Sequence, residues 1–166
     1  MTSKTTLAPV APDTLPQGLL DDLSRMIEQT RRTMASTVNA GLTLLYWRVG
    51  IRVRSEVLNY ERAEHGKAIV VTLSRQLART YGNGFTDKNL RRMLQFAEIF
   101  PDEKVVVSLI RQLSWSHFTT LLPLKDPLKR DFYAEMCRIE QWNVRTLRKK
   151  IVNVHLPPSS AGEKLK

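Results

Sequence analysis

Residues 17–60 read QGLLDDLSRMIEQTRRTMASTVNAGLTLLYWRVGIRVRSEVLNY, without a proline. Leu20, Leu23, Ile27, Thr30, Met34, Val38, Gly41, Leu45 and Val49 recur every three or four positions, the spacing of one stripe on an amphipathic helix. A helix of roughly 40 residues is ~60 Å long, longer than a domain of 166 residues is wide. Two outcomes follow. Either the helix breaks near Gly41 or Gly50, or it packs on a second copy and makes a homodimer through this long N-terminal helix.

The rest of the chain is arranged around that helix. Upstream, residues 1–16 are rich in Thr, Ser, Pro and Ala and read as a disordered tail. Residues 156–166, with Pro157-Pro158, Ser159-Ser160 and Gly162, read as another. The expected folded domain is 17–155. Downstream of the long helix, Glu61 to Gly66 reads as a polar turn. Lys67 to Tyr81 places Ile69, Val70, Leu73, Leu77 and Tyr81 on one helical face, and Gly82-Asn83-Gly84 stops it. Thr86 is an N-cap with Asp87 in the first turn of a helix running to Phe100, where Pro101 ends it.

Four shorter helical segments follow. Val105, Val106, Leu109, Ile110 and Leu113 are apolar-periodic, and Ser114 caps a helix through Leu122. Asp126-Pro127 opens a helix to about Glu140, with proline at the favoured first position. Asn143 is the last N-cap, and Trp142 before it is placed to staple onto Leu147. The only β-branched run is Val105-Val106-Val107. The fold class is therefore all-α: a long N-terminal helix followed by a helix-turn-helix-like bundle of shorter helices.

Lys plus Arg number 26 against 16 Asp plus Glu, a net charge of +10. Residues 1–64 hold 8 basic and 7 acidic side chains, residues 65–100 hold 6 and 2, and residues 101–166 hold 12 and 7. The surplus lies in the middle and the C-terminal third, and it points to a polyanion. No apolar run approaches membrane-spanning length and no secretory signal is visible. The single cysteine, Cys137, fits a cytoplasmic, reducing setting. His65, His117 and His155 are scattered without ligand spacing, so no metal or cofactor is expected. Trp115, His117 and Phe118 read as a helix start packed into the core.

The segment 77–100 fits two helices across a turn. Arg91, Arg92 and Gln95 fall within ~60° of Lys88 on the second helix, with Asn89 at the edge. These side-chain types hydrogen-bond phosphates and purine edges in a major groove. Glu98 is the one acid placed to neutralise the stripe locally. Arg145, Arg148, Lys149 and Lys150 form a second basic cluster on the last helix, suited to backbone phosphates.

Five separated motifs occur in order: Leu45-Tyr-Trp-Arg-Val-Gly-Ile-Arg52, Glu61-Arg-Ala-Glu-His-Gly-Lys67, Tyr81-Gly-Asn-Gly-Phe-Thr-Asp-Lys-Asn-Leu-Arg-Arg-Met93, Gln112-Leu-Ser-Trp-Ser-His117 and Trp142-Asn-Val-Arg-Thr-Leu147. Over about residues 18–153 the chain resembles the N-terminal domain of the YhcG-type family of bacterial proteins. The resemblance implies a domain that precedes a nuclease domain of the PD-(D/E)XK type, in a family tied to DNA processing or defence against foreign DNA. A shorter likeness, from Leu113 to Pro127 and through Trp142-Asn-Val-Arg145, is to the helical DNA-binding domain of ParB-type partition proteins, without its nucleotide motifs.

A PD-(D/E)XK site needs an Asp on one strand and a Glu-x-Lys pair on the next, converging on Mg²⁺. Pro101-Asp-Glu-Lys104 only mimics those letters, and no such domain occurs before Lys166. The expectation is a non-catalytic helical domain that binds double-stranded DNA and works with a nuclease domain in cis or in trans. The other reading is a protein-interaction or dimerisation module without direct DNA contact.

Overall fold

The computed structural model describes Pro16, residues 18–59 and residues 63–153. Apart from Pro16, the expected tail 1–16 lies outside the described residues, as does the expected tail 156–166. Among the described residues the chain is all-α. Its helices are α1 (Leu19–Leu58), α2 (Ala63–Tyr81), α3 (Asp87–Ile99), α4 (Glu103–Leu109), α5 (Trp115–Leu121), α6 (Pro127–Glu140) and α7 (Val144–Asn153), with a 3-10 turn at Asn83–Phe85 between α2 and α3. The described residues fall into two units, one up to residue 37 and one from residue 38 onward. In the first, every described residue from Gly18 to Thr37 is exposed. The second holds the core.

α1 does not break at either glycine. Nothing stands within 4 Å of a Cβ built at Gly41, whereas one built at Gly50 would lie 2.0 Å from the Met93 carbonyl oxygen. Gly50 thus lets α1 and α3 touch backbone to backbone, a close approach closed to any larger residue. Three residues on, Val53 is buried, and Thr43, Tyr46 and Trp47 complete the face. The Trp47 Nε1–H donates to the Phe100 carbonyl at 2.7 Å, tying α1 to the end of α3.

This buried face is not the apolar stripe read from the sequence. Leu20, Leu23, Ile27, Met34, Val38 and Leu45 are between 46% and 66% exposed. At ~100° per residue, the stripe and the core-facing row are about 140° apart around the helix. The core takes the row containing Thr43 and Gly50 because small residues permit close approach. The more hydrophobic row is left uncovered.

α2 begins at Ala63, so Ala63 to Gly66 are helical and not part of a turn; residues 61 and 62 lie outside the described residues. Gly82, at φ +90°, lets the chain leave α2, and the Gly84 backbone then lies over the Tyr46 hydroxyl, only 2.8 Å from where a Cβ would stand. The Thr86 side chain accepts from the Asn89 N–H and starts α3. α3 is the centre of the bundle: Leu90, Met93, Phe96 and Ala97 are completely buried. Phe96 stacks on Phe118 of α5 with ring centres 4.5 Å apart.

Of the caps expected for the later helices, Asp126 and Asn143 are present, and Asp102 adds one at the start of α4 that the sequence reading did not name. Asp102 and Asp126 accept from the Lys104 and Leu128 N–H groups, and Asn143 accepts from Thr146. Gln141, in the left-handed conformation at φ 50°, turns the chain from α6 to α7. His117 is buried and structural. Its Nδ1 accepts from the Ser114 N–H at 3.0 Å, the reach-back that Glu or Gln makes in a capping box. Its Nε2 is then the protonated nitrogen and donates to the Trp142 carbonyl at 2.8 Å. That bond ties α5 to the entrance of α7, where Leu147 is fully buried and Trp142 packs against the same core.

Candidate nucleic-acid interface

α3 and α7 place the basic residues singled out by the sequence in different settings. Because α3 is buried on most sides, it shows solvent only a narrow strip: Lys88, Arg91, Gln95 and Glu98. Arg92 and Asn89 are half-buried beside it. Among the described residues, Lys88 has no carboxylate at ion-pair distance. The others are engaged within the chain. The Arg91 guanidinium holds Asp87 at 3.0 Å, one turn earlier. The Asn89 amide donates to the Gly84 carbonyl at 3.3 Å, and its oxygen accepts from Arg92 at 3.5 Å. Gln95 donates to the Leu122 carbonyl at 3.0 Å, which fixes α3 against the end of α5.

Glu98 does not neutralise this stripe. It faces Arg54 of α1 at 4.0 Å, and the neutralising acid is Asp87. The sequence placed Asp87 in the first turn for its interaction with the helix dipole. Its i,i+4 partnership with Arg91 is the helix-surface pairing that the same spacing allows.

α7 is simpler. Arg145, Arg148 and Lys149 are all exposed. Their spacing of three and four puts them on one face, opposite Leu147, which anchors the helix in the core. From Val144 to Asn153 the helix contains no acid. Lys150 lies to the side, with its ammonium 5.3 Å from the centre of the Trp142 ring.

The α3 and α7 basic groups therefore differ in what an incoming phosphate would have to displace. On α3 it competes with Asp87 for Arg91. On α7 it meets exposed cations with no acid in the helix. Asp102 and Glu103, in the stretch that mimics nuclease letters, have other partners: Asp102 caps α4, and Glu103 pairs with Arg48 at 2.9 Å. Cys137 is buried, and desolvation pushes its thiol up to about 11. Among the described residues, no group of three or more His, Cys, Asp or Glu side chains is placed to hold a metal ion. No helix among them is long and apolar enough to cross a membrane.

The sequence reading missed a groove between α1 and α2. It has a volume of about 620 Å³ and is walled by Leu45, Val49, Val53, Ile69, Leu73 and Leu77. Leu45 and Val49 belong to the stripe that opened the analysis, so the signal was present, but it had been assigned to a helix face with no opposing wall.

Comparison with known proteins gives two matches. Residues 22–155 match the family described as the DUF1016 N-terminal domain. The chain is also 28% identical, over 165 residues, to the Escherichia coli (strain K12) protein named "Putative nuclease YhcG". That match covers 81% of this chain and 44% of the relative, so the chain spans less than half of the relative's length. No solved structure matches.

Proposed function

The chain belongs to the DUF1016 N-terminal domain family, and from that premise we propose that it is a non-catalytic DNA-targeting domain working with a PD-(D/E)XK-type nuclease domain, in cis or in trans. The observation that carries this reading is the exposed face of Arg145, Arg148 and Lys149 on an acid-free helix. Such a face suits the phosphates of double-stranded DNA. The α2–turn–α3 segment serves as a helix-turn-helix in this reading. Lys88, Arg91 and Arg92 add contacts from α3, with Asn89 and Gln95 holding that helix in place. The nuclease named among the relatives supports a nucleic-acid target. A cytoplasmic setting fits the lone, buried cysteine.

The test is electrophoretic mobility of a short labelled duplex with two variant sets. Replacing Arg145, Arg148 and Lys149 together by alanine is expected to weaken binding at least tenfold, about 1.4 kcal/mol. Replacing Arg91 and Arg92 is expected to weaken it less, because Arg91 is already paired with Asp87. Unchanged affinity in the α7 set would remove the reading.

A second reading rests on the uncovered stripe of α1. Here the chain is a dimerising module, and the long helix is its homodimer interface. Contiguous exposed apolar surface of this kind marks interaction sites. As the alternative to DNA targeting, such a module makes no direct DNA contact; under the first reading the same dimer would double the basic faces offered to one duplex.

A further inference from the structure

We propose that Tyr81 is a stacking platform for an unpaired DNA base, so that the domain prefers a duplex carrying a single-stranded segment over a blunt one. The proposal rests on the DNA reading above and names its substrate class.

Tyr81 is 69% exposed, the most exposed aromatic side chain among the described residues. It nevertheless continues the inward row of α2. Val70, Ser74, Leu77 and Tyr81 follow at spacings of four, three and four, within ~40° of one another around the helix. Val70 and Ser74 are buried, Leu77 is half-buried and Tyr81 is open, as the last turn of α2 runs past the core. The ring therefore faces across the turn from Gly82 to Phe85, with its centre 6.0 Å from that of Phe85.

That contact holds the ring in place. Phe85 lies edge-to-face with Tyr46 at 5.9 Å, and Tyr46 with Trp115 at 5.0 Å. Tyr46 is buried, so one surface ring is braced by a file of rings that reaches the core. A side chain already fixed loses little freedom when a flat partner lies on it. Every nucleobase offers such a flat face, and base–aromatic stacking is how proteins commonly hold unpaired nucleotides.

The surroundings favour a polyanion over an apolar partner. From His65 to Thr86 the chain has no acid. Asn83 in the turn and Lys88 in the first turn of α3 are exposed. The next acid along the chain, Asp87, is held by Arg91 at 3.0 Å. In a helix-turn-helix the N-terminal end of the second helix enters the DNA, so Tyr81 stands at the DNA-facing end of α2–turn–α3. Paired bases are stacked on both faces by their neighbours. A base at a strand end or beside a single-stranded segment has a face to offer.

The experiment compares two labelled DNAs with equal numbers of phosphates, a blunt duplex and a duplex with a single-stranded overhang. The wild-type chain is expected to bind the overhang DNA about tenfold more tightly. Tyr81→Ala and Tyr81→Leu should both erase that difference and leave blunt-duplex affinity unchanged, whereas Tyr81→Phe should keep it. The exposure of the side chain lets these variants fold. Iododeoxyuridine at the first unpaired position supplies a readout independent of affinity: irradiation should cross-link it to Tyr81. No preference for the overhang in the wild-type chain, or a preference that survives in Tyr81→Ala, would overturn the stacking site while leaving duplex binding standing. A cross-link mapped elsewhere would do the same. Equal losses on both DNAs would make Tyr81 a general contact and overturn the unpaired-base assignment. Binding to neither DNA would overturn the DNA reading itself, and this proposal with it.

Discussion

α3 and α7 both present arginines to solvent, yet they are built for different work. α3 sits in the middle of the bundle with Leu90, Met93, Phe96 and Ala97 fully buried, and most of its polar side chains are committed to other parts of the chain. α7 covers one side of the core through Leu147 and leaves its basic face uncommitted within the helix. The comparison teaches that basic side chains at recognition-like spacing are not equally available. On a central helix they are drawn into caps, turns and interhelical hydrogen bonds.

The sharpest way to break this comparison is to unseat α3. Gly50→Ala would put a methyl carbon 2.0 Å from the Met93 carbonyl oxygen, with the Ala97 methyl also close at 3.1 Å. Both obstacles belong to a helix that is itself fully packed, so α1 and α3 must part. The expected loss is about 3 kcal/mol or more, the upper end of overpacking costs, read as a fall in melting temperature. Gly41→Ala is the control, because the same substitution meets nothing within 4 Å. It should stabilise the helix by ~0.5–1 kcal/mol. Equal effects at the two sites would contradict the close packing of α1 on α3.

A smaller effect tests the ground under α7. Cys137 of α6 lies in the same core cluster as Leu147. Burial raises its thiol from an ordinary 9.0 to about 11, so the unfolded chain releases this proton first as pH rises. The contribution to stability is therefore complete below about pH 9 and falls progressively toward pH 11. Chemical denaturation across that range should show a decline on the order of 2 kcal/mol, and Cys137→Ala should flatten that part of it. An identical decline in the variant would mean that the thiol is not the group responsible.

These contrasts mark where the sequence was legible. Helix starts were: Thr86, Asp126 and Asn143 cap where their residue types and neighbours indicate, because a cap is a local hydrogen bond. The orientation of α1 was not. Apolar periodicity favours the row with Leu20, Ile27 and Leu45, while the core uses the row with Thr43, Trp47 and Gly50, whose value is close approach and a hydrogen bond to Phe100. Neither property registers as hydrophobicity. The α3 stripe was legible as a pattern, but not in its commitments. Gln95 reaches Leu122, 27 positions along the chain, and a helical wheel has no knowledge of that partner. Asp87 was visible one turn before Arg91, and the i,i+4 rule alone could have paired them.

The central claim is that the basic faces of this domain, α7 foremost, engage the phosphates of duplex DNA. It is tested most directly by fluorescence anisotropy of a labelled duplex titrated with the wild-type chain across a salt series. With Arg145, Arg148, Lys149, Lys88, Arg91 and Arg92 as the contacting cations, the account predicts a fall in log affinity against log salt with a slope of about −5. No binding at low salt, or an affinity indifferent to salt, would contradict it.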